Sequence, residues 1–226
     1  MSFSRKILPK QFAIGDALSK DMAGLGFIIT AEMSVNPNIE NTLIAVSIEG
    51  LRGDYRSLSL LVNWLEIHQG SINADRLIRM ILQLRKDKLL LSFWSACAKN
   101  VMSDSRFRRL LKFNSRASID LLNVGTDFQI SRFGEDPRFE KTCLRIPANL
   151  LRNRPRDILP PERLAAVHSV YRYRIMIGPS YRADQWAILD KLPETTSSEL
   201  ARKSFSSFGA AWQAKQDFEI LRKITA

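Results

Sequence analysis

Six arginines and three tyrosines carry the chemistry that this chain's side chains most clearly offer. Arg152, Arg154 and Arg156 stand at every second position of residues 151–157, and Arg172, Arg174 and Arg182 alternate with Tyr171, Tyr173 and Tyr181. A guanidinium is a planar fork that suits phosphate oxygens, and an aromatic ring can stack on a base. Such groups hold an anion rather than break a bond. Residues 138–182 contain ten basic side chains against three acidic ones (Glu140, Asp157 and Glu162), whereas residues 183–226 contain six of each. The net charge of +11 is therefore local. An excess of that size predicts an anionic partner, nucleic acid first. The patch is also consistent with a solvated face or a docking surface for an acidic protein, and the tyrosines with core positions of their helix. A second basic group comprises Arg106, Arg108, Arg109, Lys112 and Arg116. On an α-helix Arg108 and Lys112 share a face at i,i+4, with Arg109 and Arg116 two turns apart. If the two groups meet in space, they form a groove for a phosphate backbone.

Bond-making chemistry is poorly represented. The chain has two histidines, His68 and His168, and no HExxH or CxxC spacing, so neither a metal nor a zinc site is expected. Phosphate-cradling GxxxxGK[ST] and GxGxxG loops and the GxSxG elbow are absent, so no cofactor is expected either. Glu135, Asp136, Glu140 and Lys141 imitate the carboxylate cluster of a metal-dependent nuclease, but Glu-Asp in a loop is a common solvated turn. The expectation is a protein that is not an enzyme. His168, beside Val167 and Val170, reads as packed or solvent-facing. His68 reads as a helix-end residue placed to meet terminal carbonyls. Cys97 and Cys143 are too few for a disulfide framework, and Cys97 lies in an apolar run that predicts a buried thiol and a reducing compartment. With no leader-like apolar run and none approaching the roughly 18 residues of a membrane span, the expectation is a soluble cytoplasmic protein.

The elements that must position these groups are mainly α-helical. Asn38, Asp54 and Asn73 precede apolar stripes over residues 39–51, 55–68 and 74–86 and predict three capped helices. Residues 89–101 are apolar around much of their girth and predict a buried helix, and residues 106–113 a short basic one. Together these give an N-terminal helical bundle over residues 1–125. Residues 126–160 read as an irregular or β-hairpin region with a basic linker, because 128–133 and 142–146 alternate about the turn residues Gly134 to Pro137. Residues 161–226 read as a further helical domain, with one helix over 162–177 opened by Pro161 and ended by Gly178-Pro179.

Within that last domain, Thr196 and Glu199 have capping-box spacing ahead of a short helix. Residues 205–209 form a turn, and Ala210, Ala211, Ala214, Phe218 and Leu221 form the stripe of a second helix. Residues 181–192 supply a preceding helix. Residues 181–220 thus resemble the winged helix-turn-helix domains of DNA-binding regulators. The resemblance implies that the second helix enters the duplex major groove, with Ser206, Ser207, Gln213, Lys215 and Gln216 as candidate readers of bases or phosphates. It also implies a regulator, an antitoxin-like protein or a phage-defence component that binds nucleic acid, DNA rather than RNA. An ordinary helical hairpin has the same pattern. The alternative function is an adaptor or structural subunit of a larger assembly, in which Trp186, Phe205, Phe208 and Trp212 anchor a protein partner.

Overall fold

Short polar residues open the helices. The computed structural model describes residues 7–114 and 117–225; Arg116 of the second basic group lies outside them. After α1 (Gly15–Gly24), the side chains of Asn38, Asp54, Asn73 and Asp87 each accept a hydrogen bond from the backbone N–H three residues on, at 2.9–3.1 Å. They start α2 (Ile39–Leu51), α3 (Tyr55–His68), α4 (Ala74–Gln83) and α5 (Lys88–Ala96). Each cap satisfies a donor that the first turn would otherwise leave unpaired.

The chain divides into two compact units, Leu8–Pro161 and Glu162–Ala226, with Ile7 belonging to the second. The core of the first is built on Trp64, Phe93 and Trp94, all fully buried. Both indoles find acceptors: Trp64 Nε1 donates to the Leu25 carbonyl (2.9 Å) and Trp94 Nε1 to Ser47 Oγ (3.2 Å). A fully buried ion pair joins α2 to α4. Glu40 Oε2 faces Arg76 Nη1 at 3.4 Å, Glu40 Oε1 accepts from the Asn73 amide, and Arg76 Nη2 donates to Asn41 Oδ1. At Gly50 the backbone of α2 approaches so closely that a Cβ there would lie 2.7 Å from Leu58 Cβ. His68 reaches beyond its own helix. Its Nε2 lies 3.0 Å from the Leu159 carbonyl, and burial pushes its pKa down to about 4. Cys97 is fully buried, and its thiol is pushed well above the usual range by burial.

Three local expectations are corrected. Residues 97–101 leave the α-helix for a π turn (Cys97–Val101), and the basic stretch Ser105–Phe113 is 3₁₀ rather than α. Residues 128–133 are not a hairpin strand. They form α6 (Thr126–Phe133), set between Gly125 and Gly134, both at φ 83°, with Asp127 in its first turn and Arg132 in its last. The only sheet among the described residues pairs β1 (Ile119–Asp120) in parallel with β2 (Leu144–Arg145), in the register Ile119 to Leu144. Residues 126–160 belong to the first unit, and buried Phe139 stacks on Phe93 with ring centroids 6.3 Å apart.

The expected basic linker is also part of this unit. Its backbone is tied at four points. Arg152 N–H donates to Ser59 Oγ (3.0 Å), and Asn63 Nδ2 donates to the Arg152 carbonyl (3.1 Å). Ile28 N–H donates to the Asp157 carbonyl (2.8 Å) and Leu159 N–H to the Gly26 carbonyl (2.7 Å). Leu151 and Ile158 are buried at its ends. A loop with so many backbone bonds to packed elements is scaffold, not tether.

The second unit holds α7 (Pro161–Val167), α8 (Ser169–Ile177), α9 (Tyr181–Lys191), α10 (Ser197–Lys203) and α11 (Phe208–Thr225). The single helix expected over 162–177 is interrupted at buried His168, whose Nδ1 accepts the Tyr171 N–H at 3.0 Å and caps α8. Leu189, Leu200 and Ala211 form the buried centre of α9, α10 and α11, with Ile188, Ala201 and Phe218 around them. The turn between α10 and α11 passes through Phe205 at φ 57°. Among the described residues this unit contains no strand.

Candidate nucleic-acid interface

Backbone anchoring decides where the first three arginines point. Residues 152–156 are held by their main chain, and the side chains of Arg152, Arg154 and Arg156 are exposed. Among the described residues none of them has a carboxylate within ion-pair distance, and neither does Arg56 on the first turn of α3. Arg56, Arg152 and Arg154 line one cleft of about 450 Å³ together with Tyr55, Asn63 and Asp157. Arg152 and Arg154 also line a second recess of about 640 Å³, together with Asp136, Arg138 and Asn149. Residues 152–156, the arginine ridge, thus border two hollows of the first unit through Arg152 and Arg154.

Arg138 is a support for this ridge. Its Nε and Nη2 bind both oxygens of buried Asp136 (3.0 and 2.7 Å), and Nη2 also donates to the Leu151 carbonyl. The carboxylate that resembled part of a nuclease cluster is consumed by this pair. Glu140 and Lys141 are exposed. Among the described residues no group of three or more His, Cys, Asp or Glu side chains is placed to hold a metal ion, and no helix is long and apolar enough to cross a membrane.

The described members of the second basic group, Arg106, Arg108, Arg109 and Lys112, are exposed but differently arranged from the α-helical expectation. A 3₁₀ helix has three residues per turn, so Arg109 and Lys112 share a face, and the i,i+4 alignment of Arg108 with Lys112 does not arise. Arg109 pairs with Asp75 at 3.2 Å, an exposed contact. Arg106 is spent on Asp104 and the carbonyls of Gly70 and Ile72.

In the second unit the arginine and tyrosine alternation breaks up. Arg174 is 2% exposed and bound to buried Asp184, so it holds no phosphate. Tyr171 is buried as well, and burial pushes its phenol up to about 12. Arg172 remains exposed, 3.9 Å from Asp190. Arg182 is half-exposed, pairs with Asp217 (2.9 Å) and lies over the Trp186 ring (5.6 Å).

The candidate readers also divide. Ser206 is buried, accepting from Gln185 Nε2 (2.6 Å) and from Ser204 Oγ (2.9 Å), so it holds the turn and is closed to a base. Ser207 is exposed and accepts the Ala210 N–H at the start of α11. Lys215 donates to the Thr195 carbonyl (3.1 Å) and lies near Glu219. Gln213 is exposed with one bond to Asp217, and Gln216 is partly exposed. Beside them Phe208 and Trp212, one helical turn apart, are 57% and 49% exposed. Trp186 instead packs edge-on against Phe218, and Phe205 is half-buried.

Sequence reasoning missed Arg56, Tyr55 and Asn63. Arg56 was legible as a cation beside the cap Asp54, outside the apolar stripe of α3; its nearness to Arg152 was not, because the two lie far apart in the chain. A scan against protein-family models finds none that matches, and neither the curated proteins nor the solved structures give a match.

Proposed function

We propose that this protein is a non-enzymatic nucleic-acid-binding protein that grips phosphates through the arginine ridge of its first unit. The observation that carries this reading is the set of four exposed guanidiniums, Arg56, Arg152, Arg154 and Arg156, left without carboxylate partners among the described residues and three of them mounted on an anchored backbone. An unneutralised cation on a fixed frame loses little freedom when it meets a phosphate, and phosphate contacts dominate affinity for nucleic acids. The net charge of +11 acts in the same direction by steering polyanions to the surface. In the second unit, α9 to α11 have the helix, turn and helix of a duplex-groove reader, and Ser207, Gln213 and Gln216 are its available polar groups. This supports the helix-turn-helix reading of residues 181–220.

The test is binding of the purified protein to random duplex DNA and to single-stranded RNA across a salt series. A steep fall of log affinity with log salt for the duplex supports the reading. No binding to either polymer at about 0.1 M salt, where exposed charges are screened over roughly 10 Å, removes it. A second reading, a subunit of a protein assembly, is favoured by exposed Phe208 and Trp212, because large aromatics of that kind anchor interfaces.

A further inference from the structure

The cleft beside the ridge has a chemistry that a smooth phosphate-tracking surface does not need. Arg56 brings positive charge to it from α3, and Arg152 and Arg154 bring it from the anchored segment. Against these stands one acidic side chain in the lining, Asp157. Tyr55, Leu60 and Leu150 add an aromatic ring and apolar surface. Asn63 belongs to the lining and is fully buried. Its Nδ2 donates twice, to the carbonyls of Ser59 (2.8 Å) and Arg152 (3.1 Å), while its Oδ1 has no hydrogen-bond partner among the described residues. Asn63 thus serves the cleft by holding the Arg152 backbone beside it. The volume, about 450 Å³, is that of a small-molecule pocket rather than of a groove for a double helix.

From this we infer that the cleft takes a single nucleoside phosphate, its phosphate on Arg56, Arg152 and Arg154 and its base against the Tyr55 side. The inference rests on the reading of the arginine ridge as a nucleic-acid surface and narrows it: the nucleotide is unpaired, because a base inside a duplex cannot leave the stack to fill a pocket without being flipped out. Two sources offer this chemistry, a free mononucleotide and the unpaired end of a strand.

Titration calorimetry of the full chain with AMP, CMP, GMP and UMP, and with inorganic phosphate as the control, tests the proposal. At least one nucleotide binds saturably and more tightly than phosphate. Arg56→Ala and Arg154→Ala each weaken that binding about tenfold, the loss of one charge-assisted hydrogen bond, while the unfolding temperature stays that of the parent. Competition then separates the sources. An oligonucleotide with a 5′-phosphorylated overhang that displaces the nucleotide better than its blunt duplex assigns the cleft to strand ends; displacement by neither assigns it to the free nucleotide. Three results overturn the proposal: no nucleotide heat at about 10 mM ligand, where even millimolar affinity would register; phosphate binding as well as the nucleotides; or both arginine variants binding like the parent. Duplex binding in the salt series with no nucleotide binding overturns the pocket and leaves the phosphate-gripping function standing. Nucleotide binding with no binding to either polymer in the salt series supports the pocket and removes that wider function.

Discussion

Arg174 and Asp184 meet as a two-point ion pair inside the second unit, Nε to Oδ1 at 2.7 Å and Nη2 to Oδ2 at 2.9 Å, tying α8 to α9. Both side chains are shielded from water, with exposures of 0% and 6%. Removing one partner takes a two-point, buried, charge-assisted contact away from the other. Asp184→Ala is therefore expected to destabilise this unit by about 3–5 kcal/mol. Urea unfolding followed through Trp186 and Trp212 fluorescence measures it, and a loss below about 1 kcal/mol would show the pair to be dispensable.

The ridge arginines predict the opposite pattern. Arg152, Arg154 and Arg156 are exposed and make no ion pair among the described residues, and Arg152 is fixed by its backbone. The triple substitution to Ala should shift stability by no more than about 0.5 kcal/mol per site. It should weaken binding to every sequence alike and reduce the salt slope by about one for each phosphate no longer neutralised. An unchanged slope would take the ridge out of the interface.

On α11, Gln213 spends its amide on an exposed bond to Asp217, whereas Ser206 is locked beneath the turn by Gln185 and Ser204. Gln213→Ala with Gln216→Ala should change base preference in a selection from random duplexes and leave stability nearly intact. Ser206→Ala should do the reverse, costing roughly 1–3 kcal/mol by stranding the buried Gln185 amide. Equal effects of the two changes on base preference would disprove groove reading by α11.

His68 sets an acid limit on the first unit. Its folded-state pKa, about 4, lies below the ordinary 6.5 because burial opposes its charged form. Between those values the unfolded chain binds the extra proton, so stability is whole above about pH 6.5 and is lost as pH falls towards 4. The loss attributable to this side chain is about 3 kcal/mol. His68→Gln, which cannot titrate, should flatten that part of the profile; equal pH profiles for the two proteins would assign the acid sensitivity elsewhere.

Helix starts were legible because a cap is a local device. Asn38, Asp54 and Asn73 do in the structure what short polar side chains ahead of an apolar stripe should do, and Thr196 accepts the Glu199 N–H at 3.3 Å. The mainly helical class follows from the same stripes. Tertiary choices left weaker marks. Phe128 and Ile130 alternate like a strand, yet a left-handed glycine at each end sets them in a two-turn helix. Alternation also hid Arg174 among solvent-facing neighbours, although it stands three residues after Tyr171, and that spacing puts both on one buried helical face. Nothing local announces that residues 152–156 are bolted to α3, because the bolts are a serine hydroxyl and an asparagine amide about ninety positions upstream.

Those bolts let residues other than the arginines set the geometry of the ridge. Ser59 Oγ accepts the Arg152 N–H and donates its own proton to the Tyr55 carbonyl, so one hydroxyl holds the ridge to the first turns of α3. Under the proposed reading, a genetic screen for impaired binding would return Ser59→Ala beside the arginines. Because the change also leaves the Arg152 N–H without its acceptor, a screen for impaired folding would return it too, whereas the exposed arginines would pass that screen, and the difference marks the serine as a positioning residue.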